Sequence, residues 1–291
     1  MTSVQNTSVV WLSAAACALL VTVGCSENRP GAAEVAPSST GPAAAEQNAA
    51  AESSGEMTVV YEDATTPEAV NGRRILTDSG LLEALATDIN ESLVLPEDVR
   101  LVGAQCDEAN AFWSSDDRTM TICYEDADSS HTTFERAGDD DPMAATLGAE
   151  RATFYHELGH ATLDLYDLPF TGREEDVADQ LAAVLLLEPD DNGTIDPADV
   201  SAAVAYARMF EANSEQDGGA AEDFPFWDVH EYDLARMYNF QCWIYGADPQ
   251  GNAFIVDEGL VPEDRADSCE GEFDRMSRAW WDMLDPHLRD G

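Results

Sequence analysis

Lysine is absent from this chain. All 14 basic residues among its 291 are arginine, and they face 58 aspartates and glutamates. A net charge of −44 excludes a nucleic-acid partner, since phosphate backbones are held by basic footprints. The acids are scattered rather than blocked together. That pattern reads as a solvated acidic surface, of the kind that keeps a protein soluble in high salt, and less as a dedicated site for cationic partners. Histidine is scarce too, at five residues, and the six cysteines include no C-x-x-C pair. A cysteine-rich metal site is therefore disfavoured. What the chain does have is 44% hydrophobic residues, enough for the core of one domain.

Val9–Val23 is an apolar run closing on Gly24-Cys25, too short for a comfortable membrane span. It resembles a bacterial lipoprotein signal, which implies export and lipidation of Cys25; a simple export signal is the alternative. Residues 1–25 are thus expected to be a signal peptide. Residues 26–56, reduced mainly to Ala, Ser, Glu, Pro, Gly and Gln, should form a disordered tether reaching roughly 30 Å. Contact with a membrane is expected only through the lipid. Outside the signal remain Cys106, Cys123, Cys242 and Cys269. An even number in an exported chain favours two disulfides, and proximity suggests Cys106–Cys123 and Cys242–Cys269.

Residues 57–291 read as an α+β domain with strands early and helices late. Strands are expected at Met57–Tyr61 and Val99–Cys106, and a hairpin from Ala109–Trp113 and Thr119–Tyr124. Helical spacing covers Ile75–Ile89, a polar loop follows Tyr124, and helices are expected at 147–165, 173–187, 198–212, 230–245 and 272–284.

The chemistry lies in His156-Glu157-Leu158-Gly159-His160. On a helix, histidines four apart share a face and can grip one ion, while the intervening Glu157 points towards water on that ion. Two of only five histidines at this spacing are unlikely to be incidental. A short connection then returns the chain into a second, largely apolar helix bearing Glu175 and Asp179, four apart. A buried carboxylate needs a cation or strong hydrogen bonds. Glu175 fits a third metal ligand, and Asp179 can hold a histidine ring N–H.

H-E-x-x-H followed by a helical E-x-x-x-D resembles the gluzincin, thermolysin-like peptidases. The metzincin pattern fails, since Leu163 and Tyr166 stand where it wants Gly and His. A bacterial metallopeptidase-like family of unassigned substrate is more similar still. It shares H-E-L-G-H, a G-R-E-E-D-x-A-D segment at Gly172–Asp179, Asn110-Ala111-Phe112 after Cys106, and Cys242-Trp243-Ile244-Tyr245-Gly246. The resemblance implies a zincin-like fold, with a small mixed sheet whose edge strand lies over the active-site helix. It also implies a zinc ion on His156, His160 and Glu175, with Glu157 as general base. A peptide or protein substrate would be held along Asn110 and Ala111. His230 would stabilise the oxyanion, with Tyr232 as the fallback.

Weaker readings remain. Phe224, Phe226 and Trp227 suit either a specificity pocket or, preferably, core packing. His131 and His287 are expected at the surface. Glu188, Asp190, Asn192, Asp196 and Asp199 sit at positions 1, 3, 5, 9 and 12 of a candidate calcium (Ca2+) loop, although position 12 normally holds Glu. A polar turn with an Asp cap is the plainer account. Two rivals to a peptidase stay open: a non-catalytic zinc-binding lipoprotein on the same scaffold, and a calcium-dependent binding module.

Overall fold

A computed structural model describes residues 54–190, 192–216, 227 and 229–289. The expected signal, Cys25 and most of the tether lie outside these residues, as do Phe224 and Phe226. Just ahead of the expected boundary at Met57, the Gly55 N–H already donates to the Leu95 carbonyl at 2.7 Å.

Strand β1 (Met57–Tyr61) pairs in parallel with β2 (Val99–Ala104), and β2 in parallel with β4 (Thr119–Cys123). Strand β3 (Ala111–Ser114) closes the hairpin antiparallel to β4, with Phe112 opposite Thr121. The sheet order β1-β2-β4-β3 leaves β3 at the edge. All five residues of β4 are buried, as an inner strand requires, whereas none in β3 is.

The crossover from β1 to β2 holds two helices where the spacing predicts one. α1 (Pro67–Ser79) starts on a Thr66 cap, whose hydroxyl accepts from the Ala69 N–H at 3.2 Å. Gly80 ends it at φ +65, and α2 (Leu81–Ser92) follows at once. Glycine takes that left-handed conformation cheaply, so the apolar spacing continues while the axis turns. The segment expected as a polar loop is instead α3 (Tyr124–Ala137). Its Asp, Ser, Thr and His residues hide a narrow stripe of Tyr124, Ala127, Ser130 and Phe134, all buried.

The central helix is α4 (Pro142–Leu165), longer than expected. Asp141 caps it by accepting from the Ala144 N–H at 3.0 Å, and Pro142 fills a first-turn position where no N–H is needed. Ala149, Ala152, Phe154, Leu158 and Ala161 bury it on several sides. Next come α5 (Glu174–Leu186), α6 (Pro197–Gln216), α7 (Asp233–Ala247), the single turn α8 (Phe254–Asp257) and α9 (Glu263–Leu284). The last begins well before the expected residue 272, directly after Pro262. Both expected disulfides are present: Cys106–Cys123 between the β2–β3 connection and β4, and Cys242–Cys269 between α7 and α9. No described helix is long and apolar enough to cross a membrane.

His131 and His287 are not plain surface residues. His131 is half-buried, with Nδ1 3.3 Å from the Thr146 hydroxyl, and His287 stacks on Tyr166 at 3.9 Å.

Candidate metal centre

His156 and His160 occupy successive turns of α4, and α5 runs beside them. The helices approach closely because residue 159 is glycine. A Cβ there would lie 2.7 Å from the Ala178 Cα and 3.0 Å from its Cβ. Backbone cannot yield as a flexible side chain can, so packing outweighs the roughly 1 kcal/mol by which alanine is the better helix former. Gly159→Ala is expected to push α5 away, lowering stability by about 1–3 kcal/mol and loosening retained metal. Thermal melting and metal content both read this; an unchanged pair of values would show that α5 can shift freely.

That approach brings three ligand atoms together. His156 Nε2 and His160 Nε2 lie 3.3 Å apart, and Glu175 Oε2 is 3.3 Å from the first and 3.4 Å from the second. Among the described residues this is the single group of three or more His, Cys, Asp or Glu whose ligand atoms all approach within 4.8 Å. A triangle of such edges has its centre roughly 1.9 Å from each corner. Bonds from a small divalent metal to nitrogen and carboxylate oxygen are roughly 2.0–2.2 Å.

The outer nitrogens are held in turn. His156 Nδ1 is 2.8 Å from Asp179 Oδ1, and His160 Nδ1 is 2.8 Å from Glu174 Oε1. A ring N–H donating to a carboxylate leaves the opposite nitrogen as a lone pair, so both lone pairs turn inward. Glu175 Oε2 faces them, buried, near three imidazole nitrogens but aligned with none as a hydrogen bond. An orphaned buried anion beside two inward lone pairs fits one cation.

Electrostatics agree. Burial opposes charging of His160, but Glu175, Glu157 and Glu174 outweigh it and lift its pKa to about 9. Burial would raise Glu175, yet the three imidazoles of His156, His160 and His230 within 3.2–3.4 Å of Oε2 hold it far below the carboxylate range. Without an ion, protons would have to supply the positive charge at the centre. Glu157 is buried beside the triad without joining it. Burial raises its carboxyl, and the two histidines only partly offset this.

Asp179 is held from the far side. Arg236 of α7 donates through Nε to Oδ2 and through a terminal nitrogen to Oδ1, both at 2.7 Å, and its guanidinium lies 4.1 Å from the Phe210 ring centre. Burial opposes this charge, but Arg236 and His156 lower the Asp179 carboxyl to about 2.

A cleft of about 840 Å³ opens over the triad, lined by Asn110, Ala111 and Trp113 of the edge-strand region and by His230. His230 precedes α7, with Nε2 3.2 Å from Glu175 Oε2 and its side chain 52% exposed. Trp113 is tied to the end of α4, where its Nε1 donates to Asp164 at 3.2 Å. A larger hollow of about 1030 Å³ lies against α4 and α6, away from the triad.

Several sequence expectations fall elsewhere. Trp227 is 88% exposed, so it packs into no core. The oxygens of the calcium-like loop are spent separately. Glu188 accepts from Trp281, Asp190 closes a turn on Asn192 and Thr194, Asp196 accepts from the Ala198 N–H, and Asp199 pairs with Arg151. The stretch is a capped helix–helix turn. Glu174 and Arg236 are partners that sequence reasoning missed. Glu174 was visible as a first-turn carboxylate, whereas nothing in the sequence links Arg236 to Asp179.

A domain that turns two histidines and a glutamate from neighbouring helices onto one point, at the floor of an open cleft, has the form of a metal-dependent hydrolase. The chain belongs to the family described as "Putative metallopeptidase" (DUF4344), whose sequence profile matches residues 61–284. No curated protein and no solved structure matches it.

Proposed function

We propose that the protein is an exported zinc peptidase of gluzincin-like, zincin-type design, with His156, His160 and Glu175 as ligands and Glu157 as general base. The observation carrying this is the three inward-facing ligand atoms spaced at 3.3–3.4 Å. Two histidines and one carboxylate suit zinc in a catalytic setting, where an open position remains for water or substrate. When bound, zinc supplies a Lewis acid that acidifies water to a pKa of about 7 and polarises a peptide carbonyl.

The side chains do the rest. Glu157 takes a proton from the water attacking the carbonyl carbon and passes it to the amide nitrogen as the C–N bond breaks. His230 donates from Nε2 to the developing oxyanion. Asp179 and Glu174 keep both histidines in the tautomer with Nε2 unprotonated. The unpaired edge of β3, with Asn110 at its start, offers backbone groups to an extended peptide, which selects peptide geometry over any one side chain. Disulfides belong to oxidising compartments, which supports export, with Cys25 as the lipid anchor and peptides or proteins as substrate.

Elemental analysis of the purified chain is expected to give one zinc per molecule. A chelator should abolish hydrolysis of a mixed peptide library and lower the melting temperature by roughly 10 °C, if the ion is present at about a thousand times its dissociation constant. Zinc without hydrolysis would favour the non-catalytic scaffold. Hydrolysis indifferent to chelation would overturn the metal-based reading.

A further inference from the structure

Past the end of α4 the chain makes a tight reversal. The Leu168 N–H donates to the Leu163 carbonyl at 3.0 Å and the Asp167 N–H to the Asp164 carbonyl at 3.4 Å, with Asp167 at φ +52. This is a helix-ending turn whose left-handed position suits glycine or asparagine, and here it carries a carboxylate. His160 and Asp164 are four apart on one face of α4, Asp167 follows past its end, and all three line the cleft.

The carboxylates lining the cleft differ in what they already hold. Asp164 accepts from Arg118 at 2.8 Å and from Trp113, and Glu174 holds His160. Asp167 is exposed and has no side-chain partner among the described residues. Arg173, the one arginine lining the cleft, lies in the field of Asp176 and Glu231. Three residues beyond Asp167 is Phe170, 42% exposed, and Leu168, which follows Asp167 in the chain, is half-buried. Both also line the cleft. An unpaired carboxylate next to an exposed ring and an aliphatic side chain is complementary to a guanidinium on an apolar stem. The fork pairs with the carboxylate, the plane stacks on the ring, and the stem covers the leucine.

We infer that Asp167, with Phe170 and Leu168, selects substrates carrying an arginine, or less well a lysine, a few residues from the cleaved bond; this rests on the peptidase reading above. Distance distinguishes a side chain from the other peptide cation, the free N-terminal amine. Helix α4 runs five residues, roughly 7–8 Å, beyond His160 to Leu165, and Asp167 lies past that end. An extended peptide covers that in about three residues. The amine of a residue being cleaved off singly does not reach Asp167. A long basic side chain two or three residues away does.

The test is a set of fluorogenic peptides with Arg, Ala or Glu at each position within three of the scissile bond, with and without N-terminal acetylation. At one position Arg should exceed Ala by about tenfold or more in kcat/KM, and acetylation should not matter. Asp167→Asn tolerates the left-handed backbone, and should bring the Arg-to-Ala ratio to about twofold or less. Asp167→Arg should reverse the preference towards Glu. An active enzyme without the preference, or one that keeps it in Asp167→Asn, overturns the inference; loss of activity on acetylation assigns the cation to the amine and also overturns it. If no peptide is cleaved, the peptidase reading fails by itself. Fluorescence anisotropy of labelled Arg and Glu peptides on zinc-loaded Glu157→Gln protein then decides the inference, since selective binding of the Arg peptide sustains it and equal binding ends it.

Discussion

Glu157→Gln is expected to retain its metal and its fold while losing peptide hydrolysis by a factor of about 10²–10⁴, the usual contribution of a positioned general base. The substitution is nearly isosteric. Glu157 lies outside the ligand triad, so metal content should stay at the wild-type value. Its side chain is buried against Trp113 and the two histidines, and burial makes its carboxyl a readier proton acceptor. Single-turnover rates with a good peptide and metal analysis of the same preparation separate the two effects. Activity within about tenfold of wild type would remove Glu157 from the proton-transfer role, and loss of metal would show that it holds the ion.

A second large effect is expected one residue behind the ligands. In Arg236→Met the apolar stem remains but the Asp179 carboxylate stays buried without its cation. Breaking a buried pair by removing one partner costs about 3–5 kcal/mol. For a domain of this size that is a fall of roughly 10 °C in melting temperature. Asp179 also fixes the tautomer of His156, so metal affinity should fall about 10–100-fold. Lysine should not rescue. It lacks the fork that meets both Asp179 oxygens and the plane that lies over Phe210. Differential scanning calorimetry and competition against a metal-sensitive dye measure the two quantities. A melting point within about 2 °C of wild type would mean that desolvation cancels everything the pair supplies.

These two residues mark how much was legible in the sequence. Glu157 and its histidines are local, and four-residue spacing on a helix dictates which face they share. Glu175 and Asp179 were legible because they share a face with Ala182 and Leu186 on a largely apolar helix, which leaves their carboxylates in need of a partner. Arg236 is 57 residues from Asp179, and no periodicity spans that gap. The fold divides similarly. β1, the hairpin and α5 carry plain patterns. α3 was read as loop because its composition is polar, although four well-spaced buried residues hold it. The single helix expected over 75–89 became two because Gly80 changes the direction of the chain without interrupting the apolar spacing. The calcium-like spacing shows the opposite case: the intervals suit a loop of ligands, but hydrogen bonds to Trp281 and Ala198 and the Arg151 ion pair engage three of its carboxylates one by one, as the plainer capped turn requires.

The proposed ligands all come from the α4–α5 hairpin, within a span of 20 residues. Closing so short a loop costs little entropy, and local pairs of helices form early in folding. The whole proposed ligand set could therefore come together before the distant α7 brings Arg236 to Asp179. An ion captured by that hairpin would stabilise the folding chain while its geometry is still loose, and docking of α7 would then tighten the site. The order of events matters for a disulfide-bonded protein: the ion would be taken up in the compartment where the chain folds, and the disulfide joining α7 to α9 would lock the last step.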